Sequence, residues 1–107
     1  MTRLPPESLE RLRAALAGRA DVERVVHLER RIEPSSEPAF DEHRLVVVPV
    51  ELLDEPCPWE WTAALTALLR PALDALAPNV SIVVPSRAGL QPLLAEGGDV
   101  LYERRGA

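Results

Sequence analysis

Hydrophobic residues are most concentrated in residues 44–53, which read RLVVVPVELL. A short continuous run rich in β-branched valine is typical of a strand that is covered on both faces. Pro49 interrupts the run, and because proline has no backbone N–H to donate, we expect a bulge or a locally unpaired position there. The pattern therefore predicts that this strand is the centre of the fold, with the other elements covering it or pairing with it.

Residues 22–32 show a different pattern, in which apolar and polar positions alternate. One side carries Val22, Val26, Leu28 and Ile32, and the other carries Glu23, His27, Glu29 and Arg31. This period of two predicts a strand with one face on the core and the other near water, towards the edge of a sheet. The acidic segment 33–42 contains two prolines and two serines, which predicts a surface loop joining two antiparallel strands.

Three segments have apolar residues spaced three or four apart, as on one face of an amphipathic helix. The first lies between Pro5 and Gly18, residues that suit a helix start and a helix end. The second runs from Pro58 to about residue 77, and Pro71 within it predicts a kink or two abutting helices. The third is short, with Ser86 as its N-cap and a glycine pair at residues 97–98 to end it.

Short strands at residues 79–84 and 99–104 complete the order helix, strand, strand, helix, strand, short helix, strand. This order predicts an α/β (α+β) two-layer sandwich with a four-stranded mixed sheet. It is compatible with a circularly permuted ferredoxin-like fold, in which the final strand replaces a missing first one. At 107 residues the chain is long enough to bury a core of its own, so we expect a single domain over residues 1–107.

Charge and cysteine content narrow the functional classes. The formal net charge is −5, from 12 basic and 17 acidic residues, so a nucleic-acid partner is not expected. Cys57 is the single cysteine, which argues against a disulfide scaffold and favours a reducing compartment. The first residues lack the apolar core of a signal peptide, and no run approaches the roughly 20 apolar residues of a membrane span. We therefore predict an acidic cytoplasmic protein without membrane association.

Residues that could carry chemistry are few. His27 could be a ligand or a proton carrier, but no second histidine or cysteine lies at metal-ligand spacing, so a partly exposed histidine among cross-strand charges is the simpler interpretation. His43 follows two acidic residues and resembles part of an acid–base pair, yet without a nucleophile it is more simply the polar start of a strand. Cys57 at a helix start could be reactive, although no base accompanies it. The sequence predicts no catalytic residue, metal or cofactor.

Two aromatic residues are candidates for contact with a partner. Trp59 and Trp61 lie about 200° apart on a helix, so both cannot face the same core, and we expect Trp59 to be partly exposed. Packing of Trp59 against the adjacent proline-rich turn is the alternative to a partner contact. Phe40 in the polar loop either folds back onto the core or stays exposed as a contact. Trp59 and Phe40 are therefore the predicted interface residues.

The last third of the chain carries a family resemblance. Residues 79–105 read NVSIVVPSRAGLQPLLAEGGDVLYERR, with an apolar strand ending at Pro85, a short helix containing Gly89-Leu90, and a final strand in which charged residues follow Tyr102. This block, together with the leucine-rich helix and the valine-rich strand before it, resembles the C-terminal domain of the enhanced-serine-sensitivity protein family, SseB. The resemblance covers most of the chain from about residue 9 and implies a domain with no catalytic element.

The chain also departs from that family. Members tend to have acidic residues after the strand's proline, where this chain has Ser86 and Arg87, and their tyrosine usually follows a Pro-Phe pair, which is Val100-Leu101 here. Members are commonly longer, with a further domain ahead of this one. The resemblance therefore implies that domain standing alone, without any activity that depends on the other.

Two classes of function follow from these observations. The first is a non-catalytic protein-interaction or regulatory module, with a protein partner or with self-association into a homo-oligomer through a strand edge or the Trp59 region. The alternative is a small-ligand or anion-binding domain, or a minor enzyme. Its ligand-binding residues would be Ser86, Arg87 and Tyr102, with His43, around a cleft at the ends of the strands.

Overall fold

The computed structural model describes residues 4–55 and 58–104. The helices and strands, in chain order, are α1 (Pro6–Ala17), β1 (Val22–Ile32), β2 (Phe40–Pro49), α2 (Trp59–Leu68), α3 (Arg70–Leu76), β3 (Val80–Val83), α4 (Arg87–Leu94) and β4 (Asp99–Glu103). The predicted α+β class, the four-stranded mixed sheet and the order of elements are confirmed. Cys57, the candidate reactive cysteine, lies outside the described residues.

The sheet has the order β3-β2-β1-β4. β1 pairs antiparallel with both β2 and β4, and β2 pairs parallel with β3. β1 is therefore a central strand, and its predicted position towards a sheet edge is wrong. A permuted ferredoxin-like sheet would have β4 inserted between β2 and β3. Here β2 and β3 are hydrogen-bonded to each other, and β4 lies at the edge beside β1, so that arrangement is not adopted.

The main core lies between one face of the sheet and the helices α1, α2 and α3. Its buried residues are Leu4, Leu12, Leu16, Val22, Val25, Leu45, Val47, Leu65, Leu69, Ala72, Leu76 and Leu101. A smaller cluster on alternate positions of the central strands contains Val26, Leu28, Val46 and Val48, against which the leucines of α4 pack. The valine-rich strand β2 is therefore covered on both faces, as its composition predicts.

The prediction that one face of β1 lies near water is wrong, because residues 25–28 are buried on both faces, and a bulge near the start of the strand changes the face of Val22. The register with β2 shifts between Val22 and Arg24, so Val22 and Val25 both reach the main core although they are three residues apart. From there the alternation puts His27 on the same face as Val25. The bulge lies opposite Val48 and Pro49, which is where the missing N–H of the proline predicts an irregular pairing.

Pro71 divides the second helical segment, as expected. α2 ends at Leu68, and α3 begins at Arg70 with Pro71 in its first turn, where a missing N–H costs no hydrogen bond. Leu65 of α2 and Leu69, which lies between the two short helices, are both completely buried. Among the described residues, no helix has both the length and the apolar character needed to cross a membrane.

Candidate functional site

The carboxyl ends of the parallel strands β2 and β3 meet the start of α2 at an open cleft of about 390 Å³. In open α/β sheets, ligands commonly bind beyond the carboxyl ends of the strands. We call this the strand-end cleft. Its lining residues are Ala20, Asp21, Pro49, Val50, Glu51, Leu53, Glu55, Pro58, Trp61, Val84 and Pro85. The lining combines a predominantly apolar floor with three carboxylates.

Asp21 is the carboxylate that organises one wall of the strand-end cleft. It accepts two hydrogen bonds from the guanidinium of Arg19, at 2.9 and 2.8 Å, and one of 2.5 Å from the indole Nε1 of Trp61. The hydrogen bonds from Arg19 hold the pKa of Asp21 well below its usual value, partial burial opposes this, and the Trp61 N–H acts in the same direction as Arg19. The contact with Asp21 orients Trp61 at the cleft.

We expect Asp21→Asn to lower the free energy of unfolding at pH 7 by about 1 kcal/mol, because the ion pair is partly solvent-screened. Since folding lowers the pKa of Asp21, its contribution is present above the unfolded pKa of about 3.9 and is lost as the pH falls below it. Urea unfolding at pH 7 and pH 3 should show a smaller acid-induced loss in the variant. Asp74→Asn, at an exposed aspartate of α3, is the control, and an equal effect there contradicts the assignment.

Exposed apolar side chains surround the mouth of the strand-end cleft. Val50 is 50% exposed and Leu53 is 44% exposed, and both line it. Trp59, which lies between the lining residues Pro58 and Trp61, is 74% exposed. Its predicted exposure at the helix start is therefore confirmed, whereas Trp61 packs against the main core. Large apolar groups left in water beside an apolar cleft are typical of a contact surface.

Ser86 and Arg87 lie near the strand-end cleft, but both are occupied by contacts within the chain. The Ser86 hydroxyl accepts the backbone N–H of Gly89 at 3.4 Å, which is the predicted N-cap of α4. Arg87 donates from its side chain to the Leu52 carbonyl at 3.0 Å and from its backbone N–H to the Leu53 carbonyl at 2.8 Å. These bonds fasten the loop after β2 to the start of α4.

The other two residues of the predicted ligand site lie elsewhere. Tyr102 is in the edge strand β4, paired with Val25, and lines a shallow depression with Arg13. His43 lies near the start of β2, at the end of that strand opposite the cleft, and donates its backbone N–H to the Asn79 carbonyl at 2.8 Å. The structure therefore brings Ser86 and Arg87 together and leaves Tyr102 and His43 apart from them and from each other.

The two predicted interface residues are also separate. Phe40 begins β2, pairs with Ile32 and is half-buried. It lies nine residues along the strand from Pro49, a separation of about 30 Å. Trp59 is the first residue of α2 and follows the cleft-lining Pro58, so one small contact surface could not include both.

A second polar cluster lies on the main-core face, towards the start of β2. His27 Nε2 and His43 Nδ1 are 3.0 Å apart, and the two rings are stacked with centroids 5.2 Å apart. The carboxylate of Glu29 lies 3.9 Å from His43 Nδ1. His27 is 3% exposed and His43 is 8% exposed. The simpler interpretation of His27 as partly exposed is therefore wrong, because the face of β1 that carries Val25 and His27 is buried as well.

No protein-family model, curated protein or solved structure matches this chain. The resemblance to the enhanced-serine-sensitivity family stays a prediction. The features of the chain that could carry a function are the strand-end cleft with its exposed apolar rim, and the buried histidine pair with Glu29.

Proposed function

We propose that this chain is a non-catalytic interaction module that binds an apolar, basic segment of a partner protein in the strand-end cleft. The observation that carries the proposal is the exposure of Val50 and Leu53 in the lining of a cleft whose floor is itself apolar, with Trp59 exposed at the start of the neighbouring helix α2. Burying these side chains under a partner would remove apolar surface from water, which is the main favourable term in protein association.

The size of the cleft suits this role. Pockets for small ligands have volumes of roughly 300–1,000 Å³, and a cleft of about 390 Å³ can receive a few apolar side chains of an extended segment. Trp59 projects from the adjacent helix start with most of its surface exposed. A contact that covers Trp59 as well as the cleft is larger than a small molecule would make, which favours a protein segment.

Charge indicates what kind of segment would fit. Glu51 and Glu55 line the cleft, and within residues 4–55 and 58–104 neither has an ion-pair partner. Asp21, by contrast, is already paired with Arg19. The chain as a whole carries a net charge of −5. A lysine or arginine beside the apolar residues of the partner would complement this rim and increase the association rate.

The same carboxylates disfavour a second copy of the chain as the occupant. In a two-fold symmetric dimer a surface patch meets itself, so Glu51 and Glu55 of one copy would approach those of the other. Like charges brought together in an interface are unfavourable. We therefore propose a different protein as the partner. The family resemblance of this chain, which implies a domain without catalytic elements, is consistent with this role.

The cysteine content supports a proposal for the cellular compartment in which the interaction occurs. A single cysteine suits a reducing compartment, so we propose that the partner is met in the cytoplasm. Detection of the tagged protein in the oxidising compartments after cell fractionation would contradict this part of the proposal.

Selection of short peptides by the full chain from a random library tests the proposal. We expect the selected peptides to share two or more apolar residues next to a lysine or arginine. Trp59→Ala should weaken the binding of a selected peptide at least about tenfold, as truncation of an aromatic anchor does. Val50→Ala should weaken it less, and Val100→Ala is the matched control, because Val100 is 52% exposed but lies on the distant edge strand β4.

Three outcomes count against the proposal. The first is a set of selected peptides without basic residues, and the second is an equal loss of affinity in the Val50 and Val100 variants. The third is a concentration-dependent dimer, seen by analytical ultracentrifugation, that Trp59→Ala dissociates, since that result makes a second copy the occupant.

The alternative, an anion or small-ligand site at Ser86, Arg87 and Tyr102, has less support. Ser86 caps α4 and Arg87 binds the loop carbonyls, while Tyr102 lies on β4. The polar groups that would bind an anion are therefore either engaged in contacts within the chain or far from one another.

A further inference from the structure

We propose that His27, His43 and Glu29 form a binding site for a divalent transition-metal ion of the zinc type. The two imidazoles and the carboxylate each present one ligand atom, and these three atoms all lie within 4.8 Å of one another. The site is separate from the strand-end cleft, so the inference does not depend on the proposed interaction.

The register of β1 and β2 assembles the three residues. Positions 27 and 29 lie on the same face of β1, because side chains alternate along a strand. Glu29 pairs directly with His43, and His27 pairs with Leu45, which places His27 diagonally across from His43. Residues directly opposite or diagonal on one face of an antiparallel pair are close enough to interact. A His-x-Glu sequence on one strand and a histidine on its neighbour therefore become one cluster.

The distances suit a metal ion with little rearrangement. Zinc binds imidazole nitrogen and carboxylate oxygen at about 2.0–2.2 Å, so two ligands in tetrahedral geometry are about 3.4 Å apart. The separation of 3.0 Å between the histidine nitrogens and that of 3.9 Å between His43 and Glu29 lie on either side of this value. The third separation, between His27 and Glu29, is within 4.8 Å, so a rotation of the partly exposed Glu29 side chain that moves its carboxylate by about 1 Å towards the histidines would complete the site.

The buried histidines are held in position for metal binding, and the partly exposed Glu29 leaves a route by which the ion can enter. His27 and His43 are almost completely buried, so packing restricts their ring orientations before any ion binds, which lowers the ordering cost. Glu29 retains about a third of its side-chain exposure and marks the solvent-facing side of the cluster. An ion could enter from that side, and water or a further ligand could take the fourth position.

The ligand set indicates which metal ions would bind. Two imidazoles and one carboxylate suit zinc and neighbouring first-row ions, whereas magnesium and calcium prefer oxygen ligands throughout. We therefore expect Zn²⁺, Co²⁺ and Ni²⁺ to bind and Mg²⁺ not to compete at similar concentrations. Bound metal would link β1 to β2 and stabilise the native state by an amount that rises with the logarithm of the free ion concentration above Kd.

Calorimetric titration of the metal-free full chain with ZnCl₂ tests the site. We expect one ion per chain and, at a free zinc concentration of about 100 times Kd, an increase in Tm on the order of 10 °C. Co²⁺ should give the visible absorption of a four-coordinate complex. Glu29→Gln should raise the Kd at least about tenfold, judging from the 10- to 100-fold losses caused by substitutions in the less direct outer ligand shell. His43→Gln should abolish binding.

Control variants distinguish this site from non-specific metal binding at the protein surface. Glu33→Gln removes an exposed carboxylate of the loop after β1 and should leave the Kd unchanged. His43→Gln alters a buried residue and could unfold the chain, so circular dichroism accompanies it, and the partly exposed Glu29 provides the independent variant. The site is refuted if no saturable one-to-one binding occurs, if Glu29→Gln and Glu33→Gln behave alike, or if folded His43→Gln still binds Co²⁺ with the same spectrum.

Discussion

We expect Leu45→Ala to lower the free energy of unfolding by about 3 kcal/mol, the largest effect of a single substitution considered for this chain. Leu45 is completely buried in the middle of β2 and pairs with His27 on one side and Ile82 on the other. Its side chain lies in the main core between the sheet and the helices. Truncation removes buried apolar contacts and leaves a cavity that the surrounding strands cannot close, because each is held by its ladder.

Urea unfolding monitored by circular dichroism measures this effect. Leu53→Ala is the matched control, since Leu53 is 44% exposed at the strand-end cleft, and we expect it to cost less than about 1 kcal/mol. The expected difference between the two leucines is therefore at least about 2 kcal/mol. If both substitutions had the same small effect, β2 would not be the centre of the fold.

Gly98→Ala is expected to have the second largest effect, a loss of about 2–3 kcal/mol. Gly98 has a φ of +106°, and a Cβ added there would lie 2.6 Å from the His27 carbonyl oxygen and 2.6 Å from Cδ2 of Leu28. The positive φ costs an L-residue about 1 kcal/mol, and forcing an atom into a packed backbone contact costs about 1–3 kcal/mol. The glycine allows β4 to begin directly against the centre of β1.

Gly97 provides the comparison for Gly98. Its φ of +86° carries a similar conformational cost, but an added Cβ would meet no atom of the described residues within 4 Å. Gly97→Ala should therefore cost only about 1 kcal/mol. Equal losses of stability in the two variants, measured by urea unfolding under identical conditions, would contradict the close contact between Gly98 and His27.

The helices and strands could be predicted from local sequence because each type of element has its own periodicity of apolar residues. β1 was predicted at the bounds that it has, Pro71 separates two helices, and Ser86 caps α4. These features depend on residues close together along the chain. The burial of the valine-rich strand on both faces could be predicted for the same reason, since a continuous apolar run leaves neither face suited to water.

The sheet order and the faces of β1 depend on information that is not local. A bulge near Val22 moves that residue to the main-core face of β1, and no glycine or proline within the strand indicates it. Leu101 of β4 is buried in the main core. Packing against the helices therefore favours the pairing of β4 with β1, and the local sequence pattern does not show this packing. A strict period of two places His27 on one face with Val25, but it does not show that this face is buried as well as the opposite one.

The two candidate sites could not be predicted because their residues are distant in sequence. The histidine cluster requires the register that pairs Glu29 with His43. Residues 33–39 between the strands contain no two-residue turn motif that would have fixed this register. The strand-end cleft likewise brings together Asp21 and Pro85, from two connections, and Trp61 from α2. By contrast, Ser86 and Arg87 are neighbours in sequence at a helix start, which makes them candidates for a site. In the structure their side chains cap α4 and bind a loop carbonyl.

The most direct test of the central claim, that the strand-end cleft is the binding surface, is a map of backbone amide NMR shifts during titration with a selected apolar, basic peptide. We expect the amides of Val50, Leu53, Trp61 and Val84 to shift most, together with the indole N–H signals of Trp59 and Trp61. Shifts concentrated instead around His43 and Tyr102, with the cleft unchanged, would contradict it.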